Sequence, residues 1–249
     1  MIYDNFNRNF AFNDDPDRVF LIEIMCRKKD FHPGVFPFNS EQAQRLIKIY
    51  FIHNRKELEA KRDEIVLLCR RLGARAYILP QPRSMNKVLR ELAKNTIESM
   101  GNPQVNLNSL LLRTFTAFHS SEEPRWIIDI DTDCQDREAA AHAAGLICDF
   151  LYRRGVRQIT SKDFFDTPHG YHLVTSKFDS RGFAEFVNDI PWATAEIKKD
   201  NLALLYFEDH KPNEKTDLCQ NLTANEIDGK IAETEQEQEH EQEKQNEVT

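Results

Sequence analysis

The sequence predicts an α+β protein made of two halves and a tail. Helical and strand-like apolar patterns alternate through residues 18–207. In the second half these elements follow the order β-α-β-β-α-β, whereas the last 39 residues are poor in apolar side chains and rich in Glu and Gln. The predicted units are a flexible N-terminal arm over 1–17, an N-terminal α/β unit over 18–124, a core over 125–210 and a disordered tail over 211–249.

The first half is predicted to contain three strands and three helices. The clearest helix covers 55–72, where apolar residues recur on one face and Gly73 follows as a helix stop. The other predicted elements are strands at 18–26, 46–52 and 75–79 and helices at 83–100 and 107–119. A polar stretch at 120–124 is the predicted boundary with the second half.

The second half has the element order of the ferredoxin-like and RRM-like folds. Its longest helix, over 135–154, carries one apolar face and is followed by Gly155. The remaining predicted elements are strands at 126–131, 156–160, 171–175 and 194–198 and a short helix near 181–187. In that fold the sheet order is fourth, first, third, second, and the helices cover one face. A further strand at 202–207 is expected to extend an edge of this sheet.

The charge of the chain is unevenly distributed. The chain has 33 Lys+Arg and 41 Asp+Glu, a formal net charge of −8, but 11 of these acids and only four of the bases fall within 211–249. Residues 55–94 hold 11 bases against five acids, which is typical either of exposed helix faces or of a surface for phosphate backbones. The candidate nucleic-acid contacts are Arg27, Lys28, Lys29, Arg75, Arg83, Arg153 and Arg157.

Composition also predicts where the protein resides. No apolar run approaches the roughly 18 residues that a membrane-spanning helix needs. The N-terminal residues lack the order of a signal peptide, and the five cysteines form no CxxC pair. We therefore expect a cytoplasmic protein with no membrane partner.

Acidic side chains are predicted to share one face of the second-half sheet. Alternation along the strands places Asp129 and Asp131 on one face, with His172 on a second strand and Glu196 and Lys198 on a third. Three carboxylates on one face repel each other unless a cation holds them, and oxygen ligands favour Mg²⁺ or Mn²⁺. The pattern suits a two-metal phosphoryl transfer, with His172 and Lys198 left to hold phosphates.

The same segments resemble the catalytic motifs of one family. WIIDIDTD at 126–133 resembles the hydrophobic-DxD motif of the archaeo-eukaryotic primases and primase-polymerases, and TPHGYHLV at 167–174 is similar to their Gly-x-His motif. AEIKKDNLALLYF at 195–207 resembles their third motif, an acid on a strand followed by a second apolar strand. The resemblance covers about 125–207 and departs from the family in lacking the usual Ser-Gly opening and in having Glu in the third motif.

The resemblance implies a metal-dependent nucleotidyltransferase, a DNA primase or primase-polymerase that joins nucleotides on a single-stranded or primed nucleic-acid template. It implies that Asp129, Asp131 and Glu196 bind two metals and that His172 contacts the phosphates of the nucleotide. Thr167 stands in the Ser position of the second motif, beside Gly170. The chain shows no appended helicase module, so a helicase or other DNA replication partner is expected.

Other functions remain open at this point. A non-catalytic RRM-like nucleic-acid-binding protein would expose Tyr171 and Leu173 for base stacking, whereas a polymerase-like site would expose His172 from the opposite face. A haloacid-dehalogenase-like phosphohydrolase is the third candidate, although Thr132 lies one place early for its motif. The chain could also be a regulatory protein that acts through its Glu/Gln tail.

Overall fold

Ten strands and five α-helices are found among the residues that the structure, a computed structural model, describes. These residues are 1–10, 12, 15–28, 44–100, 106–117, 124–132, 137–156 and 158–209. The predicted tail over 211–249 lies outside them. The mixed α+β composition with antiparallel sheets agrees with the predicted class. None of the described helices has the length and apolar character needed to cross a membrane.

The first sheet has six strands. Five of them follow the order β1-β10-β4-β2-β3, and β5 pairs with β2. The strands are β1 (Ile2–Asp4), β2 (Arg18–Arg27), β3 (Gln44–Ile52), β4 (Arg75–Ile78), β5 (Arg83–Ser84) and β10 (Ala203–Glu208). The helices of this half are α1 (Arg55–Leu72), α2 (Met85–Glu98) and α3 (Leu107–Thr116).

The bounds of α1 agree with the predicted helix because local signals set both ends. The side chain of Asn54 accepts a hydrogen bond from the backbone N–H of Glu57 at 2.9 Å and so caps the first turn. Gly73 adopts the left-handed conformation, with φ of 57°, and ends the helix. Leu58, Ile65 and Cys69 are buried on the face that packs against the sheet.

The last strand of the described chain lies in an unexpected sheet. The sequence predicts that 202–207 extends the second-half sheet, but β10 pairs with β1 and β4 in the first sheet. All residues from Ala203 to Phe207 are buried, as expected for a strand inside a sheet that is covered on both faces. The prediction was wrong because an apolar run fits the interior of either sheet equally well.

The predicted flexible arm over 1–17 contains ordered structure. Ile2–Asp4 is a strand that pairs with β10, and the side chains of Tyr3, Phe6 and Phe10 are buried. These aromatic residues bury enough apolar surface to hold the segment against the first sheet, despite its many Asn and Asp residues.

The second sheet has four strands in the order β7-β8-β6-β9, and all three pairings are antiparallel. Its strands are β6 (Arg125–Thr132), β7 (Phe164–Asp166), β8 (Gly170–Ser176) and β9 (Ala193–Lys199). The helices of this half are α4 (Arg137–Arg153) and α5 (Phe183–Asn188).

The strand predicted at 156–160 is absent among the described residues 156 and 158–160. Instead, Thr160 and Asp163 form a capping box that starts a short 3-10 helix at Ser161–Asp163, and β7 follows directly. Phe165 in β7 is fully buried, so it takes the place in the sheet that the prediction gave to the earlier apolar residues.

The two faces of the second sheet have different neighbours. Trp126, Ile128 and Ile130 of β6 pack in one apolar core with residues of α4 and α5. Ile127 and Val174 point the other way and join the core of the first sheet. The helix-free face is therefore covered at the end that carries these two residues, where the two sheets meet. Alternation along β6 places Asp129 and Asp131 on this same face.

Candidate functional site

Strand register places the predicted acids next to each other. Asp129 in the centre of β6 is paired with His172 on β8 and with Glu196 on β9. Asp131 is two residues along β6, opposite Gly170 and Thr194. Because paired residues in a sheet share a face, the predicted adjacency of these three segments is confirmed.

Asp129 is held by two side chains that the sequence also places on this face. Its Oδ1 lies 3.2 Å from Nε2 of His172, and its Oδ2 forms an ion pair with the ammonium of Lys198. His172 accepts a hydrogen bond at Nδ1 from the backbone N–H of Leu204, at 3.1 Å. The imidazole therefore carries its proton on Nε2, and this N–H donates a hydrogen bond to Oδ1 of Asp129.

The surroundings of the two β6 acids shift their pKa values in opposite directions. Burial acts to raise the pKa of Asp129, but the hydrogen bond from His172 and the ion pair with Lys198 outweigh it and lower the pKa to about 2. Burial and the neighbouring charge of Asp129 raise the pKa of Asp131. Burial opposes the charge of Lys198, yet the bond to Asp129 raises its pKa. Asp131 thus retains a like-charge repulsion that a cation would relieve.

Glu196 is the solvent-facing member of the cluster. Its side chain is 76 % exposed, compared with 15 % for Asp129, and its Oε2 lies 3.9 Å from the ammonium of Lys198. Within the described part of the chain, no group of three or more His, Cys, Asp or Glu side chains is arranged to hold a metal ion. The acids share a face but do not converge on one point in this arrangement.

The turn before β8 shows what Thr167 and Gly170, two residues of the motif at 167–174, do in the fold. Oγ1 of Thr167 accepts a hydrogen bond from the backbone N–H of Gly170 at 3.1 Å, and the N–H of Thr167 donates to the carbonyl of Gly170 at 3.0 Å. A Cβ at Gly170 would overlap the backbone carbonyl of Ile130 on β6. The glycine therefore permits β8 to approach β6 closely enough to bring His172 opposite Asp129.

Arg137 supports the same turn and was not identified from the sequence. It is the first residue of α4, and its guanidinium donates to the carbonyls of Thr167 and Gly170, at 3.1 and 3.2 Å, and to Oδ1 of Asp166 at 3.2 Å. Its only sequence signal is a basic residue near a helix start, a position where acidic residues are usual.

Asn5 is a second residue that the sequence did not indicate. Its side chain is fully buried and donates to the carbonyls of Asp166 at 3.0 Å and Leu204 at 2.9 Å. It also accepts from the backbone N–H of Asp166 at 2.9 Å. Asn5 thus joins β7 of the second sheet to β10 of the first. Its partner on β10, Leu204, is the residue whose backbone N–H donates to His172.

Two of the predicted nucleic-acid contacts are buried. Arg83 is fully buried, donates to the carbonyls of Phe115 at 3.0 Å and Thr116 at 2.9 Å, and pairs with the carboxylate of Asp200. Arg75 is 8 % exposed, and its guanidinium lies 3.8 Å from the ring centre of Phe207. The predictions for both residues are wrong because charge along a sequence does not reveal which side chains are internal.

The structure describes only some of the other residues predicted to contact nucleic acid. Arg27 is half-buried at the end of β2, and Lys28 and Arg153 are exposed. Lys29 and Arg157 lie outside the described residues. The exposed bases remain predictions for contact with a phosphate backbone.

The surface that an RRM-like protein would use for base stacking is covered. Leu173 is fully buried in the core shared with α4, and Tyr171 packs edge-on against Phe164 at 5.9 Å between ring centres. Tyr171 also lies 5.5 Å below the guanidinium of Arg137. His172 lies on the opposite face, where its side chain is 14 % exposed and that of Asp129 is 15 % exposed.

The arrangement of β6 bears on the haloacid-dehalogenase-like alternative as well. Ligand sites of doubly wound α/β proteins form at the carboxyl ends of parallel strands. Here β6 has an antiparallel neighbour on each side. The antiparallel neighbours of β6 do not favour this third candidate.

Comparisons with known proteins identify no relative. The chain matches no protein-family model, no curated protein and no solved structure.

Proposed function

We propose that the protein is a metal-dependent nucleotidyltransferase of the DNA primase or primase-polymerase type, which joins nucleotides on a nucleic-acid template. The observation that carries the proposal is the alignment of His172, Asp129 and Glu196 side by side across β8, β6 and β9, with Asp131 two residues along on the same face. These acids and the histidine come from three segments that are far apart in the sequence.

The residues present fit a divalent cation in chemistry and charge. Three carboxylates and one ammonium, with a neutral His172, leave a charge of −2 on the face. Carboxylate oxygens are the ligands that Mg²⁺ and Mn²⁺ prefer. In the proposed site Asp129, Asp131 and Glu196 would hold two such ions, which when bound polarise the phosphate and neutralise the charge that develops during transfer.

The side chains of the site would then act on the nucleotide as follows. The 3′-hydroxyl of the growing strand attacks the α-phosphate, and the bond to pyrophosphate breaks. His172 and Lys198 would hold phosphate oxygens, while Thr167 and Gly170 keep the turn before β8 in position. Most of the rate would come from this positioning and from charge neutralisation.

The proposal includes a ferredoxin-like or RRM-like arrangement for the catalytic half. Supporting it are the strand order β7-β8-β6-β9 and the packing of α4 and α5 against a single face. With β7 as the second strand, this order corresponds to fourth, first, third, second when read from β9.

The proposed partners are nucleotides, a single-stranded or primed template and a helicase or other replication protein. Lys28 and Arg153 are the exposed candidates for contact with template phosphates.

The test is a primer-synthesis and primer-extension assay with the full chain, single-stranded template, ribo- or deoxyribonucleotides, and Mg²⁺ or Mn²⁺. We expect the Asp129→Ala/Asp131→Ala double variant to lose at least about 10²-fold in product formation. Asp149→Ala is the matched control, because this exposed carboxylate lies on α4, which packs against the opposite face. Absence of product from the unaltered chain on every template would refute the enzyme proposal.

The remaining alternative is a non-catalytic protein that binds nucleic acid. A fluorescence-anisotropy titration with labelled single strands separates the two functions. Binding by the unaltered chain without synthesis in the same buffer would favour the alternative.

A further inference from the structure

Lys198 lies among the acids that the proposed function assigns to metal ions. Its ammonium pairs with Oδ2 of Asp129 and lies 3.9 Å from Oε2 of Glu196. The negative charge of Asp131 also acts on it. One positive charge from the chain itself is therefore already placed between two of the three carboxylates.

The ammonium competes directly with a cation for the same oxygen. Oδ1 of Asp129 faces the imidazole of His172, which is fixed in turn by the backbone of β10. The other oxygen, Oδ2, is the one that Lys198 engages. A divalent ion that bound Oδ2 would lie within a few ångströms of the ammonium and be repelled by it.

Lys198 is able to move away from the cluster. Its side chain is 31 % exposed, and the ammonium of a lysine stands on a flexible four-carbon stem. Asp129, in contrast, is held on a central strand between two paired neighbours. When a cation binds, we therefore expect the side chain of Lys198 to move and that of Asp129 to stay in place.

We propose that Lys198 is an internal counter-cation that must leave Asp129 before a divalent ion binds there, and that the phosphates of a nucleotide provide the new partner for its ammonium. The inference rests on the proposed function, since it takes the same acids as ligands. Because linked binding is reciprocal, nucleotide and metal would each increase the affinity for the other.

The test measures Mn²⁺ binding to the full chain without nucleotide, from the electron paramagnetic resonance signal of free Mn²⁺. We expect Lys198→Met to bind Mn²⁺ about tenfold more tightly than the unaltered chain, within the range usual for coupling between ligands. Lys198→Arg, which keeps the positive charge, should bind as the unaltered chain does. If Lys198→Met fails to fold, as judged by circular dichroism, Lys198→Gln replaces it.

Lys199→Met is the matched control. Lys199 is the next residue on β9, but its ammonium lies 4.8 Å from the ring centre of Trp126, which packs in the core on the opposite face. A general effect of losing one positive charge would strengthen Mn²⁺ binding equally in both methionine variants and would overturn the inference.

The other outcomes separate this inference from the proposed function. Equal or weaker binding by Lys198→Met overturns the role of Lys198 and leaves the enzyme proposal standing. Tighter binding by Lys198→Met, in a chain that makes no product in the synthesis assay, supports the inference while the enzyme proposal fails. Absence of Mn²⁺ binding by every variant overturns the inference, and the synthesis assay alone then decides the enzyme proposal.

Discussion

The backbone N–H of Leu204 donates a hydrogen bond to Nδ1 of His172 at 3.1 Å. Leu204 belongs to the first sheet and His172 to the second, so this bond joins the two sheets beside the candidate site. It also determines that the imidazole donates to Asp129 through Nε2. The orientation of the central acid of the site thus depends on a strand of the other sheet.

Two substitutions of His172 test its hydrogen bonds to Leu204 and to Asp129 separately. His172→Phe leaves the N–H of Leu204 without its acceptor, and we expect a loss of roughly 1–3 kcal/mol in the free energy of unfolding. His172→Asn has an oxygen near the position of Nδ1 but no donor at Nε2, so it should lose less stability while product formation still falls. Urea denaturation and the synthesis assay measure the two effects. Equal stability of both variants would contradict the acceptor role of Nδ1.

Gly170 is required by the close approach of β8 to β6. We expect Gly170→Ala to destabilise the protein by roughly 1–3 kcal/mol, because its Cβ would overlap the carbonyl of Ile130. Gly145 in α4 is the matched control, since a Cβ there meets nothing within 4 Å. Gly145→Ala should stabilise the helix by about 0.5–1 kcal/mol. Thermal unfolding of the two variants should therefore shift in opposite directions.

Asn5 tests whether the N-terminal segment belongs to the fold. Asn5→Ala removes the bonds to Asp166 and Leu204 from a fully buried position, and we expect a cost of roughly 2–3 kcal/mol. Asn7→Ala, at an exposed position two residues along, should be close to neutral. Chemical denaturation of both variants gives the comparison. Similar stabilities would indicate that the segment contributes little to the fold.

Glu23 makes the stability dependent on pH. Its side chain is 7 % exposed on β2, and burial raises its pKa above the usual 4.5. A raised pKa in the folded state favours the neutral acid, so this group costs stability progressively as the pH rises above 4.5. We expect Glu23→Gln to be more stable than the unaltered chain at about pH 8 and to lose that advantage towards pH 4.5.

The control for this prediction is Glu59→Gln, which removes an exposed carboxylate from α1. Urea denaturation at several pH values should show a pH-dependent difference for Glu23→Gln that exceeds the difference for the control. A Glu23→Gln variant that is less stable than the unaltered chain at about pH 8 would contradict the explanation by burial.

The three motif segments were predictable because strand alternation is a local property. Asp129 and Asp131 are separated by one apolar residue, which places both on one face of any strand they form. The same rule placed His172 opposite Leu173, and the structure buries Leu173 among the helices. Gly73 was an equally local signal and gave the correct end of α1.

The errors concern properties that depend on distant residues. Arg83 belongs to a basic segment in the sequence, but its guanidinium pairs with Asp200, 117 residues away. The apolar run of β10 is compatible with either sheet, and its pairing with β1 and β4 decides between them. Asn5 looked like part of a polar arm, yet its partners lie 161 and 199 residues away.

The sequence by itself determined which strands carry the acids and which side chains share a face, because both follow from neighbouring residues along the chain. The tertiary structure alone decided the proton position on His172 and the pairing of Lys198 with Asp129. The physical reason is that these contacts join residues 32 and 69 positions apart, whose proximity depends on how the sheets pack. The acidic face was thus predictable from the sequence, whereas the ion pair between Lys198 and Asp129 is seen only in the folded chain.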